Sequence, residues 1–277
     1  MATTLTLTTY ADLTQWAEAF LQPDGLGLLF LVGNPGAGKS RVFLDRMTPN
    51  HAYLRAARLT AIELYKMIYR HRHKELIFDD VDDVLKDRSI AHLLMSVCET
   101  DNRKKTVAWR SSTSLLKTEQ PSGKIVIVKK EFETDARVCL ISNDWKILTT
   151  KFAALLDRGT VLFFKPSAEE IHQQVKDWFT DKEIYNYIEA ALPRIELHSM
   201  RYYSHAAEIK RLGLDWEAAL EESWEEAKKK TDPIDELIRQ LVADASFAAE
   251  EDRVAEFVRQ TGKSRRTYFG RKKALGL

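Results

Sequence analysis

Residues 28–40 read LLFLVGNPGAGKS, an apolar run followed by a glycine-rich loop and then by Lys39 and Ser40. The loop fits the pattern G-x-x-x-x-G-K-[ST] at every required position, through Gly33, Asn34, Pro35, Gly36, Ala37, Gly38, Lys39 and Ser40. The apolar run predicts a buried strand, and the residues from Lys39 onward predict a helix. Glycines at 33, 36 and 38 let the backbone bend until its N–H groups and the following helix N-terminus face an anion. In such a loop the lysine neutralises β/γ-phosphate charge and the serine ligates Mg²⁺. The stretch therefore predicts a site for a nucleoside triphosphate.

A phosphate loop needs a carboxylate site beside it, and ELIFDD (75–80) supplies one: an apolar strand that ends in Asp79 and Asp80. Asp79 would enter the Mg²⁺ shell, and Asp80 would orient or deprotonate the attacking water. Asp82 and Asp83 extend the acidic cluster; their ordinary reading is as caps of the next helix, and contact with the metal is the other.

Around these two motifs the chain alternates strand and helix. Leu13, Trp16, Ala17, Phe20 and Leu21 make a helical face, with Thr9 and Asp12 as its capping box. Strands follow at 28–32, 52–56, 75–79, 136–142 and 160–164, with helices from Lys39, near 60–70 and near 89–98. TVAW (106–109) and KIVIVKKEF (124–132) predict a hairpin around a polar loop, 110–123. From Pro166 onward apolar residues recur at helical spacing, in a pattern that includes Trp178, Tyr187 and Tyr203. Asp215 would cap a helix carrying Trp216 and Trp224, and the charged run EEAKKKTD after it reads as a linker or as a solvated helix end. Asp232 and Pro233 form an N-cap and N1 pair for a further helix.

With 277 residues, 44% apolar and 30% charged, the chain can bury one sizeable core and a smaller second one. Its apolar runs are too short to span a bilayer, and MATTLTLTTYADL lacks the basic start and apolar stretch of a signal peptide. A cytoplasmic protein with no membrane partner is expected. Cys98 and Cys139 are isolated and predict buried free thiols, and the seven histidines show no metal-ligand spacing. A net charge of +1 confines any nucleic-acid affinity to local patches.

One such patch is the tail. Val254, Phe257 and Val258 face one way, Thr261-Gly262-Lys263 makes a turn, and Ser264 caps a second helix carrying Tyr268, Phe269 and Leu275. The spacing predicts a helix-turn-helix. No acidic residue occurs between Phe257 and Leu277, whereas Lys263, Arg265, Arg266, Arg271, Lys272 and Lys273 are basic. These are candidate DNA contacts, with Arg265, Arg266 and Thr267 placed to reach base edges. The other reading docks this basic helix on an acidic protein surface or on RNA.

Over about residues 10–212 the chain resembles the AAA+ ATPases. GNPGAGKS looks like their Walker A motif and LIFDD their Walker B. RVCLISN ends at Asn143, matching the polar sensor 1 residue. ALLDRG (154–159) is similar to the segment that carries the arginine finger, which implies Arg158. HSMRYYSHAAEIK (198–210) looks like the start of the lid helix bearing sensor 2, which implies Arg201, with Arg194 and Arg211 as competitors. Asp80 departs from the usual catalytic glutamate, and DD is the form similar to bacterial chromosome-replication initiators and some superfamily 3 viral helicases. The 106–135 insertion is similar to the hairpin those helicases use to touch DNA. Lys117, Lys124, Lys129 and Lys130 there would contact DNA or serve solubility.

The resemblance implies an α/β fold with a five-stranded parallel sheet (1–165) and an α-helical lid (166–230), and the spacing in the tail adds a small all-α helix-turn-helix (231–277). The resemblance also implies ATP and Mg²⁺ as ligands, a homo-oligomer, and DNA together with a replication or transposition protein as partners. The rival readings are an ATP-ordered DNA-binding module with little hydrolysis, a remodelling or recruiting ATPase whose tail binds protein, and a processive helicase.

Overall fold

The computed structural model describes residues 3–55, 59–82, 87–99, 104–110, 116–119, 123, 125–143, 153–195, 198–230, 233–244, 247, 249–275 and 277. Two compact units divide the chain, Met1–Tyr185 with His198–Arg201, and Asn186–Leu197 with Tyr202–Leu277.

Strands of the first unit are β1 (Thr3–Leu7), β2 (Leu28–Gly33), β3 (His51–Arg55), β4 (Glu75–Asp79), β5 (Lys105–Ala108), β6 (Leu116–Glu119), β7 (Ile125–Val128), β8 (Glu131–Thr134), β9 (Arg137–Ser142) and β10 (Thr160–Phe164). Six of them form one sheet in the order β1-β10-β2-β9-β4-β3, and every pairing in it is parallel. Helices α1 (Tyr10–Leu21), α2 (Lys39–Leu44), α3 (Ala61–Arg70), α4 (Arg88–Val97), α5 (Ala153–Leu156) and α6 (Ala168–Val175) accompany it, and α7 (Lys182–Ala191) follows. Parallel strands need crossover helices, which cover both faces and leave the central strands apolar on both sides. β2 and β9 show this, since both are buried along almost their whole length.

Alternate residues of β2 feed two cores. Phe30 and Val32 pack with Leu64, Tyr65 and Ile68 of α3 and with Ile90 and Leu94 of α4. Leu29 and Leu31 pack with Leu13, Ala17 and Phe20 of α1 and with Phe43 of α2. Thr9 caps α1 as expected, accepting from the Asp12 N–H at 3.1 Å. Cys98 and Cys139 are buried free thiols, and burial pushes Cys98 up to about 12.

Two expectations need correction. The sheet has six parallel strands, not five, because TTLTL (3–7) pairs with β10 as an edge strand. Only Leu7 of β1 is buried, so this strand carries little of the apolar signal that marks the others. The insertion is not a single hairpin. β5 does pair with β8, antiparallel, but β7 pairs with β6, which lies inside the expected loop. The long run KIVIVKKEF is broken at Lys129–Lys130: the Lys129 carbonyl accepts from the Tyr65 hydroxyl (2.8 Å), and the Lys130 carbonyl from the Trp109 N–H (2.7 Å). Lys117, Lys129 and Lys130 are exposed, whereas Lys124 and Asp83 lie outside the described residues.

His198, in the segment His198–Arg201 of the first unit, is buried near His172 and Glu169 of α6. Burial, helped by the His172 charge, pushes it down to about 4. The unfolded chain protonates this group near pH 6.5 and the folded chain only near pH 4, so stability falls as pH drops through that window. The full effect is on the order of 3 kcal/mol. In urea titrations at pH 7 and pH 5, the wild-type midpoint should fall more than that of His198→Asn.

The second unit contains the turn Leu192–Arg194 and the helices α8 (Arg201–Arg211, of which Arg201 belongs to the first unit), α9 (Trp216–Lys230), α10 (Pro233–Ala243), α11 (Glu250–Thr261) and α12 (Arg265–Leu275). Asp215 caps α9 by accepting from the Ala218 N–H at 3.0 Å. Glu225–Lys230, one reading of which was a linker, is the end of that helix. Tyr187, Trp216 and Trp224 pack with ring centroids 5.1 and 6.2 Å apart. A separate small core joins the last three helices through Ile238, Leu241, Val254, Phe257 and Tyr268.

Candidate nucleotide site and candidate nucleic-acid interface

β2 delivers Gly33 to the C-terminal edge of the sheet, and the loop then turns into α2 through Gly36 (φ 80°) and Gly38 (φ 72°). Both φ values lie in the region that glycine alone enters without cost. Lys39 is 5% exposed, and its ammonium donates to Gly33 O (2.7 Å), Asn34 O (2.8 Å) and Asn143 Oδ1 (2.9 Å). Burial lowers Lys39 to about 8, against the opposing pull of Asp79, Asp82 and Asp80.

Ser40 Oγ donates to Asp79 Oδ2 at 2.6 Å, and the Tyr53 hydroxyl donates to the same oxygen. Burial and this carboxylate push Tyr53 up to about 12. A hydroxyl and a carboxylate this close are hard oxygen donors suited to Mg²⁺, which takes few protein ligands and keeps water and phosphate for the rest of its shell. Among the described residues there is no larger His, Cys, Asp and Glu cluster.

Asp80 follows with φ 56°, its N–H donating to Asp79 Oδ1 at 3.0 Å. Asp82 has a structural place instead. Its carboxylate accepts from the Ser142 hydroxyl and from the Asn143 N–H (3.1 and 3.2 Å), which ties the end of β9 to the turn after β4. The structure thus brings Lys39, Ser40, Asp79 and Asn143 together.

Residues 199–200 also close on the loop. The Met200 N–H donates to Gly36 O (3.0 Å), and the Tyr10 hydroxyl donates to Ala37 O (2.8 Å). A Cβ on Gly36 would lie 2.0 Å from Ser199 Oγ, and one on Gly38 2.8 Å from Met200 Sδ. Gly36→Ala is therefore expected to lower stability by about 1–2 kcal/mol from the left-handed backbone alone, with the contact to Ser199 adding to it. Comparing Gly36→Ala with Gly36→Ala/Ser199→Gly by chemical denaturation separates the two contributions. Tyr10 and Tyr53 carry no motif, Ser199 and Met200 lie in the quoted segment 198–210 without being singled out, and Asp82 was read as an extension of the acidic cluster, not as the tie to Ser142 and Asn143.

Arg201 directs charge toward Lys39, and its N–H donates to Ser199 Oγ at 3.2 Å. Arg158 stands at the other end of the sheet, just before β10 begins. It donates to Met95 O (2.9 Å) and lines a cavity of about 700 Å³ with Lys105, Arg137 and Glu75. It does not meet the loop within one chain.

In the second unit, α11 and α12 join through Gly262 (φ 65°), Lys263 and Ser264, and Ser264 Oγ accepts from the Thr267 N–H at 3.3 Å. Phe257 and Tyr268 meet edge to face at 5.2 Å. Lys263, Arg265, Arg266 and Lys273 are exposed. Arg271 and Lys272, read from sequence as DNA contacts, pair with Asp235 (3.0 Å) and Glu250 (2.5 Å), Lys272 largely covered and Arg271 still partly exposed.

The fold and the loop together define an α/β protein with the geometry of a phosphate-binding loop. Its backbone is similar to domain III of the Thermotoga maritima replication initiation protein DnaA, at TM-score 0.46 and 13% identity over 77% of this chain and 91% of that one. It is also similar to the Thermotoga maritima RuvB Holliday junction branch migration motor (0.44, 13%, over 96% and 86%) and to the FIGL-1 AAA domain in complex with ADP (0.45, 14%, over 75% and 74%). No function is carried over from likenesses of this degree. No family model matches the chain, and none of the curated proteins matches it in sequence. Among the described residues no helix is long and apolar enough to cross a membrane.

Proposed function

We propose that the chain is an ATPase of the AAA+ kind that works as a homo-oligomer on DNA. The observation that carries this reading is the joint placement of buried Lys39, the Ser40–Asp79 pair and Asn143 at the mouth of the glycine loop. Lys39 and the loop N–H groups would bind the β- and γ-phosphates. Mg²⁺, held through Ser40 and Asp79, would neutralise phosphate charge as it develops. Asp80 would accept the proton of the attacking water while Asn143 orients that water.

Arg158 lies far along the sheet from its own loop, so its candidate role is to reach the nucleotide of a neighbouring copy, as an arginine finger in trans does. Residues 166–230, with Arg201, would serve as the lid, and 231–277 as the DNA-binding tail. The double aspartate, which resembles that of replication initiators and superfamily 3 helicases, supports replication or mobilisation of a plasmid, phage or other mobile element as the setting.

A second reading, an ATP-ordered DNA-binding module with little hydrolysis, is favoured by Asp80, whose carboxylate is one methylene shorter than the usual glutamate. Steady-state ATP hydrolysis by the full chain, with and without single- and double-stranded DNA and with Lys39→Ala as the blank, separates these. DNA-stimulated turnover that the variant lacks supports the motor or switch. ATP binding without turnover supports the ordered module, and turnover indifferent to DNA moves the tail toward a protein partner.

A further inference from the structure

Gly270 stands in the middle of α12, and nothing among the described residues asks for a glycine there. Its backbone is not left-handed, and a Cβ built on it would meet no described atom within 4 Å. After proline, glycine is the least favourable residue in a helix interior. A local rule broken with no internal compensation marks a place where something outside the fold sets the choice.

The surroundings say what that is. The exposed residues Arg265, Arg266, Phe269, Gly270 and Lys273 follow the spacing i, i+1, i+4, i+5, i+8, which at 3.6 residues per turn is one stripe covering about 140° of the helix. Arg271 and Lys272, the other cations of α12, pair with Asp235 and Glu250 and fall outside it by helix phase, while Arg265 within it lies 3.5 Å from Glu251. Phe269 remains 38% exposed despite its size, and the Arg265 guanidinium stacks 5.2 Å from its ring centroid. The stripe thus combines cations at both ends, one apolar ring and a gap where a side chain is missing.

We infer that this stripe reads base edges in the major groove of duplex DNA, with Gly270 as the point of closest approach and Phe269 as an apolar contact. The inference rests on the DNA-binding reading proposed above and adds its specificity surface. The B-form major groove admits a helix, but a side chain at the closest point would hold the backbone away from the bases. A thymine methyl is the natural partner of an exposed ring, and guanine edges or phosphates are those of Arg265, Arg266 and Lys273. A-form RNA has a major groove too deep and narrow for such a helix.

The full-length protein would first enrich binders from a duplex pool with a randomised core, and the enriched duplex would serve as the probe. Gly270→Ala and Gly270→Leu should both raise the thermal midpoint, because each restores helix propensity. Both should bind the enriched duplex more weakly, the leucine variant by about tenfold, the scale of one lost base-edge contact. The salt dependence of binding should stay unchanged in these two. Lys273→Ala should weaken all duplexes alike and reduce the salt slope by about 1. Stabilised Gly270 variants that bind the enriched duplex as tightly as wild type would overturn the inference and leave DNA binding intact, as would a wild type that binds every duplex equally. A wild type that holds no duplex, or prefers RNA, would overturn the DNA reading and this inference with it.

Discussion

Lys39→Ala is expected to weaken ATP binding by at least about a hundredfold, on the scale of about 3 kcal/mol for a charge-assisted hydrogen bond to phosphate. The ammonium is enclosed by three oxygens at 2.7–2.9 Å and has almost no exposed surface. Burial already disfavours its charged form, which means the site keeps that charge at a cost to the fold. Alanine should therefore remove binding without a comparable loss of stability. Lys39→Arg gives a sharper comparison. It keeps the charge but places a planar fork where Gly33, Asn34 and Asn143 converge on a single nitrogen, and poor binding by this variant would show that shape matters as well as charge. Titration calorimetry with ATP, together with a urea melt of each variant, checks both expectations.

Asp80→Asn is expected to lower turnover by about 10²–10³-fold while leaving ATP affinity within about threefold, the usual scale for loss of a general base. Asparagine keeps the shape and tolerates φ 56°, so the variant isolates the carboxylate. Asp80→Gly makes the complementary measurement. It should lose turnover to the same degree yet gain up to about 1 kcal/mol of stability, because glycine adopts this backbone freely. If Asp80→Asn retains full turnover, Asp80 is not the base and the acidic residue must come from elsewhere. If wild type binds ATP and shows no turnover to lose, the ordered-module reading stands.

The candidate nucleotide site was legible because the chemistry it would serve forces short-range patterns. A loop whose N–H groups face phosphate needs glycines at set positions, and a carboxylate beside it needs an apolar strand to carry it, so Gly33–Ser40 and Leu76–Asp80 stand out without any fold in hand. Other residues that complete the site do not announce themselves. Tyr10 and Met200 reach it from 27 and 164 positions away in the chain, as the pairs Tyr10–Ala37 and Met200–Gly36 show. A lone tyrosine or methionine has no spacing to recognise. The central strands β2 and β9 were legible as continuous apolar runs. β1 was not, because an edge strand buries little and TTLTL reads as polar. β6 was hidden inside a polar stretch for a similar reason: two of its residues face inward, Leu116 and Thr118, and one of these is a threonine held by Arg70 at 2.6 Å. In the tail, sequence showed the basic composition but not how it divides. Arg271 and Lys272 look like Arg266 and Lys273 until the helix phase places Asp235 and Glu250 beside them.

The pairing of β1 with β10 also sets an order of events on the ribosome. Thr3 lies opposite Thr160, and no other strand of the sheet neighbours β1, so the first strand emerges more than 150 positions before its only partner. At about 5–20 residues per second this is a wait of roughly 10–30 s. During that interval α1, β2 and the glycine loop can already be built, while TTLTL remains an unpaired strand whose polar threonines limit its tendency to pair with the wrong neighbour. Gly33–Ser40 are thus made long before β10, but Asn143 comes shortly before that strand and Met200 after it, so the candidate site is completed only around the time that the sheet edge closes.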